Sequence, residues 1–240
     1  MIYLTGDLHG EYDLPKLDEF YTNVGKNLTR QDYVIILGDF GMIFDADTNF
    51  GYLWEENRIL EYFEEKYPWT TLFLDGNHEN FIHLKQFPVK KWCGGKAAFL
   101  SDHCIWLKRG QVFTLQNKTF FIMGGAYSID KKWRQPLISW WADEAITKEN
   151  MAEARMNLLR HNNSVDYILT HCAPYPIYFD IARQEHFTLS DGEASKNELY
   201  LQEINANTKF TQWYFGHYHI NRSFENGKYV CLYNDIIKLF

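Results

Sequence analysis

The chain has 240 residues, 46% hydrophobic and 18% aromatic, which supplies a large packed core and excludes a disordered polymer. Its net charge of −7 argues against an overall electrostatic grip on a long nucleic acid. No run of about 18 apolar residues occurs, so no membrane span is expected, and "MIYLTGDLHG" reaches a polar motif too early for a signal peptide.

One domain over residues 1–240 is therefore the expectation, in a soluble cytoplasmic protein. Cys93, Cys104, Cys172 and Cys231 are scattered, without Cys-x-x-Cys spacing, as free thiols in a reducing compartment would be. Internal repeats, low-complexity tracts and Pro- or Ser-rich linkers are absent from the sequence.

In chain order, "MIYLT" reads as a strand and residues near 13–22 as a helix. "YVIIL" (33–37) is a buried strand, residues 54–66 a second helix, and "TTLFL" (70–74) another strand. From about 98 to 123 the pattern predicts a β-meander, "HCIWLK", "QVFTL" and "TFFIMGG", broken at Arg109-Gly110 and Asn117-Lys118. Residues 147–160 are predicted helical with Thr147 as N-cap. "DYILT" (166–170) is a strand, and Ser195-x-x-Glu198 has the spacing of a capping box opening a helix to about 205. The end of the chain returns to strand, with Asn226-Gly227 as a hairpin turn. Alternation of short apolar runs with amphipathic stretches predicts the α/β class.

Five strands end alike. "YLT" leads to "GDLHG", "IIL" to "GDFG", "LFL" to "DGNHEN", "YIL" to "THCAP" and "WYF" to "GHYH". In open α/β sheets, sites gather at the carboxyl ends of strands. These ends would bring together Asp7, His9, Asp39, Asn77, His78, His171, His217 and His219. Each motif alone also fits a turn or a hydrogen-bonded core histidine; the ordered set does not.

Carboxylates and imidazoles without thiolates suit Mn²⁺, Fe, Zn²⁺ or Ni²⁺, Mn²⁺ being the expected choice. Seven donors exceed what one ion with an open position needs, and suit two ions about 3.5–4 Å apart sharing one carboxylate. His217 and His219 would then serve one ion each. Two divalent ions, two aspartates and a hydroxide leave a residual charge of about +1, which favours an anionic phosphate ester.

The series GDLHG, GDFG, GNHE, THCAP and GHYH resembles the calcineurin-like metallophosphoesterase superfamily over residues 6 to 219. The resemblance implies a two-sheet β-sandwich core flanked by helices, in four α/β/β/α layers, with a dinuclear centre at one edge. It implies that Asp7, His9, Asp39 and His219 hold one ion, that bridging Asp39, Asn77, His171 and His217 hold the other, and that a metal-bridging hydroxide attacks phosphorus. His78 takes the place of the general acid.

Departures from that pattern bear on substrate. The protein phosphatase branch has an acidic residue and an arginine after its second motif and an arginine before "GNHE"; here Met42 and Asp75 stand in those regions. The expected substrate is accordingly a small phosphodiester or nucleotide. A protein phosphatase, a phosphomonoesterase, a nuclease of the same superfamily and a metal-bound interaction scaffold are the alternatives.

The acid partner of His78 is left open among Asp45, Asp47 and Glu79. Arg109 and Arg134 are the candidate substrate-binding arginines. "SWWADE" (139–144) is read as a core edge or an oligomer contact rather than a base-stacking platform, and 173–194, with His186 and Asp191-Gly192, as a candidate lid. His83, His103 and His161 are expected to be structural or exposed.

Overall fold

In the computed structural model, which describes residues 1–44, 56–185 and 196–240, strand alternation decides which layer each side chain enters. In β1 (Ile2–Thr5), Ile2 and Leu4 face one apolar layer and Tyr3 another. The same split divides Ile35 from Val34 and Ile36 in β2 (Tyr33–Ile36), and Leu72 from Phe73 in β3 (Thr70–Phe73). Strands apolar on both faces require cover on both faces, and that sets the architecture.

Strands β1, β2 and β3 pair side by side in parallel. β6 (Cys104–Leu107) adds in parallel to β3, and the hairpin of β4 (Val89–Trp92) and β5 (Gly95–Phe99) closes that edge antiparallel. β13 (Ile236–Lys238) lies antiparallel along β1, giving a seven-stranded sheet in the order β13-β1-β2-β3-β6-β5-β4.

The second sheet has β8 (Lys118–Met123), β9 (Tyr167–Thr170), β10 (Gln212–Phe215) and β12 (Tyr229–Cys231) in parallel. β7 (Gln111–Leu115) and β11 (Arg222–Phe224) pair antiparallel at its two edges.

Leu4, Ile35, Leu72, Phe113, Phe120, Leu169 and Tyr214 fill the space between the sheets. Outside the first sheet pack α1 (Leu14–Asn23), through Leu17 and Phe20, and α2 (Glu56–Lys66), through Ile59, Leu60 and Phe63. Outside the second pack α4 (Lys148–Arg160), α5 (Tyr175–Gln184) and α6 (Lys196–Asn207). A short helix, α3 (Phe81–Leu84), follows β3 at one turn's remove. The fold is α/β with two mixed sheets between helical layers, as expected.

Several local expectations hold. Thr147 caps α4, its hydroxyl accepting from Asn150 N at 3.2 Å. Asn226 and Gly227 take left-handed φ of 54° and 87° in the turn between β11 and β12.

Others need correction. The stretch 98–123 is not a single meander: β6 belongs to the first sheet, β7 and β8 to the second, and the chain crosses between them at Arg109-Gly110. Within 173–194, residues 175–184 form α5, anchored by buried Ile177 and Ile181. His186, Asp191-Gly192 and Ser195 lie outside the described residues.

The four cysteines are free. No helix among the described residues is long and apolar enough to cross a membrane.

Candidate metal centre

The carboxyl ends of β1, β2 and β3 in one sheet, and of β9 and β10 in the other, open onto one edge of the sandwich. Parallel pairing makes this so, because the strands of each set all point the same way. The turns leaving them are sharp. His9 (φ 44°), Asp39 (47°), His217 (71°) and His219 (52°) all occupy the left-handed region. A non-glycine residue there costs on the order of 1–3 kcal/mol and persists only where its surroundings hold it.

Two motif glycines make room for the carboxylates. A Cβ on Gly76 would lie 2.0 Å from Asp39 Oδ1, and one on Gly216 would lie 2.2 Å from Asp7 Oδ1.

All eight strand-end residues named from the sequence converge. Asp39 Oδ1 accepts from Asn77 N and His78 N, each at 2.7 Å, and faces His171 Nε2 at 3.3 Å. Its Oδ2 faces His9 Nε2 at 3.3 Å. Asp39 thus stands between two imidazoles, one on each oxygen.

Asp7 is fully buried and accepts from His217 N through Oδ1 at 2.8 Å. Its Oδ2 has no hydrogen-bond partner, although His219 Nε2 lies 3.2 Å away and His9 Nε2 4.0 Å away. An unsatisfied buried carboxylate oxygen facing imidazole nitrogens is the arrangement a cation would complete. Among the described residues, Asp7, His9 and His219 form one candidate cation group; Asp39, His171 and His217 form another, and His9, Asp39 and His78 a third.

A second ring of contacts aims the donors inward. His9 Nδ1 meets Asp13 Oδ2 at 2.8 Å and His171 Nδ1 meets Leu37 O at 2.8 Å, which leaves each Nε2 for the interior. Asn77 Nδ2 donates to Ser128 Oγ at 3.2 Å, and Ser128 Oγ donates to Glu144 at 2.7 Å, so the Asn77 carbonyl oxygen turns towards His171 Nε2 at 3.3 Å. Tyr233 stacks on the His219 ring at 4.6 Å. Such outer partners fix the tautomer and direction of metal-binding side chains. The sequence reading missed Asp13, Ser128, Glu144 and Tyr233; for Asp13 the i,i+4 spacing to His9 was an available signal.

His78 lies at the rim, where Arg134 Nη2 donates to its Nε2 at 3.0 Å. Of the three acid partners considered for it, Glu79 is engaged elsewhere. Glu79 is buried and its carboxylate accepts from Phe40 N at 2.7 Å and Gly41 N at 3.2 Å, bracing the turn after β2. Asp45 and Asp47 lie outside the described residues.

The two arginines separate. Arg134 reaches the centre, whereas Arg109 is buried behind it, its Nε donating to Asp75 Oδ2 at 2.6 Å and its Nη atoms to Ala145 O and Glu144 O. Those donors tie Arg109 to Asp75 and to the 144–145 backbone and not to the strand-end cluster. "SWWADE" is structural, as expected: Trp141 is buried against Phe44, and Glu144 holds Ser128. His103 and His161 are likewise structural, meeting Thr70 Oγ1 and Asn157 O.

The electrostatics follow from this crowding. Burial opposes charge on His9, but Asp39, Asp7 and Asp13 raise its pKa to about 9. Burial opposes charge on His171 as well, and Asp39 and Asp7 lift it to about 10. Burial would raise Asp39, yet His171 and His78 hold it well below the usual carboxylate range. His217 has no such compensation, and burial, reinforced by His171, pushes it down to about 3. His78 is lowered by burial, with Arg134 acting in the same direction.

A family profile described as calcineurin-like phosphoesterase matches residues 1–221. Among solved structures, a Staphylococcus aureus protein assigned as a 5′-nucleotidase, in complex with α-ketoglutarate, aligns with a TM-score of 0.50 at 15% identity. That alignment covers 96% of this chain and 48% of the other, so this chain spans about half its length. Phosphopantetheinyl hydrolase from Mycobacterium tuberculosis aligns at 16% identity over 97% of this chain and 89% of its own, with a TM-score of 0.43. At 15% identity the first of these likenesses speaks to fold alone. No curated protein sequence matches the chain.

Proposed function

The chain belongs to the calcineurin-like phosphoesterase family, and we propose on that premise that it is a single-domain, dinuclear metal-dependent hydrolase of small phosphodiesters or nucleotides. The observation that carries this reading is Asp39, whose two oxygens each face a different imidazole at 3.3 Å. In this reading Asp7, His9, Asp39 and His219 hold one cation, and Asp39, Asn77, His171 and His217 hold the other. The unpartnered Asp7 Oδ2 and the inward-turned Asn77 carbonyl support that division. Bound there, divalent cations, with Mn²⁺ the first choice, would acidify a water to serve as nucleophile and offset charge on the phosphoryl oxygens.

The chain's own residues divide the remaining work. Arg134 binds a non-bridging phosphoryl oxygen at the rim. His78, released from its contact with Arg134, takes a proton from solvent on Nε2 and delivers it to the leaving oxygen. Arg109 and Asp75 neutralise each other beneath the site, whereas Arg134, its Nε held by Asp130 at 2.8 Å and its Nη1 by Ser139 O at 3.3 Å, keeps Nη2 at the rim for substrate. One such group matches the single charge of a diester better than the dianion of a monoester.

Replacing Arg134 with alanine is expected to raise KM for a diester about tenfold and to lower kcat less, from loss of one charge-assisted hydrogen bond. Steady-state kinetics separates the two parameters.

Cation binding is also expected to release protons. Metal-coordinating imidazoles must be neutral, whereas His9 and His171 in the cation-free protein are raised to about 9 and about 10. His9 and His171 should therefore release about two protons per chain on loading at pH 7.5 and few above about pH 11, in addition to the proton lost by a cation-bound water at either pH. By the same linkage, these histidines stabilise the cation-free fold fully below their unfolded pKa, and that contribution disappears as pH rises through about 9 to 10. Calorimetry of Mn²⁺ binding in buffers of different ionisation enthalpy counts the protons.

The functional reading is tested by nitrophenol release from bis-p-nitrophenyl phosphate and p-nitrophenyl phosphate with Mn²⁺ supplied. Turnover of the diester in preference to the monoester is expected. Turnover of the monoester alone would move the assignment to a phosphatase, and no turnover of either, repeated with Zn²⁺, Fe²⁺ and Ni²⁺, would contradict it.

A further inference from the structure

A cavity of about 370 Å³ lies between α3, the β4–β5 hairpin, the end of β6 and the start of α4, with none of the strand-end cluster in its lining. Its charged lining is Lys85, Lys96, Lys108 and Arg109 against Asp143 and Glu153. Most of these charges are already matched. Lys85 pairs with Asp143, Lys96 with Glu153 at 2.6 Å, and Arg109 with buried Asp75 beneath the wall.

Lys108 is the cation left over. Its side chain is half-buried, its Nζ lies 3.1 Å from the centroid of the Trp106 ring, and it joins no ion pair with a described carboxylate. Cation–π contact stabilises an ammonium there but supplies no counter-charge. Burial pushes the Lys108 ammonium down to about 8, Asp75 and Glu153 offset part of that, and Arg109 and Lys85 reinforce it. A desolvated ammonium facing a cavity, with neighbouring cations and no carboxylate of its own, lacks an anion.

We propose that this cavity binds a small oxyanion, either free phosphate or the phosphate group of a small phosphorylated molecule, with Lys108 as the central cation and Lys85 and Lys96 at the rim. The volume exceeds what phosphate alone fills. The chemistry is that of an ammonium cluster meeting a tetrahedral anion, with Asp143 and Glu153 standing in for it when no ligand is present. The wall is also tied to the strand-end centre: Trp106 Nε1 donates to Asp75 Oδ1 at 2.9 Å and Arg109 to Oδ2, and Asp75 leads directly into Gly76, Asn77 and His78.

The test is titration calorimetry with inorganic phosphate and with glucose 6-phosphate, on the cation-stripped full chain carrying Asp39→Asn and Arg134→Ala, which leaves the strand-end centre with neither metal ion nor guanidinium for a phosphate. Adding Lys108→Met is expected to weaken binding about tenfold. Adding Asp143→Asn, which removes the intrinsic competitor for Lys85, is expected to tighten it about threefold, a direction that loss of structure does not produce. Tighter binding of the sugar phosphate assigns a phosphorylated small molecule, and equal binding assigns free phosphate. Absence of binding by the Asp39→Asn, Arg134→Ala protein, affinity unchanged by Lys108→Met, or weakening by Asp143→Asn overturns the proposal.

Discussion

Asp39→Asn is expected to leave the fold intact, to lower the bound Mn²⁺ to at most one ion per chain, and to slow diester turnover at least about a thousandfold. That factor corresponds to roughly 4 kcal/mol of lost transition-state stabilisation. The substitution is nearly isosteric. The asparagine carbonyl can still accept from Asn77 N and His78 N, the bonds that fix the turn. What changes is the other oxygen, which faces His9 Nε2 and becomes an amide that cannot coordinate a cation. The negative charge that favours protonated His9 and His171 is lost as well, so both histidines should titrate lower than in the parent. Metal analysis and nitrophenol release measure the two effects; turnover within tenfold of the parent would remove Asp39 from its bridging role.

Gly76→Ala is expected to be nearly as damaging by a different route. Its Cβ would fall 2.0 Å from Asp39 Oδ1 and 2.4 Å from Asp39 N, contacts that cannot be relieved by rotating a flexible side-chain end. Either the turn after β3 or the turn after β2 must move, and each carries candidate ligands. Overpacking of this kind costs about 1–3 kcal/mol in stability, and the displaced carboxylate should abolish high-affinity Mn²⁺ binding. Gly227→Ala is the control. It has φ of 87° but open space around its Cβ position, so it should cost only about 1–2 kcal/mol of backbone strain and leave Mn²⁺ binding unchanged. Thermal melts with and without Mn²⁺ distinguish the two.

Much of the centre was legible because its residues sit in short motifs directly after apolar strands, where position along the strand determines position in the fold. Asp7, Asp39, Asn77 and His171 needed only the parallel pairing of β1–β3 and β9–β10 to converge. What was not legible depended on partners distant in sequence. Arg109 looked available in "LKRGQ", yet buried Asp75, 34 residues away, takes its guanidinium. Arg134 meets His78 across 56 residues. Ser128 and Glu144 aim Asn77 through hydroxyl and carboxylate contacts that leave no periodic trace in the sequence.

The same reason accounts for the fold-level misses. β4 is exposed along most of its length and rich in lysine, so it carries no apolar alternation. β6 and β7 read as neighbours because a three-residue break resembles a hairpin, and only the distribution of buried faces sends them to different sheets.

The most direct measurement is the number of Mn²⁺ ions bound per chain, determined by elemental analysis after the cation-stripped protein is equilibrated with Mn²⁺ and dialysed. Two ions per chain are expected for the parent. One ion would contradict the shared position of Asp39, and none would contradict the metal centre itself.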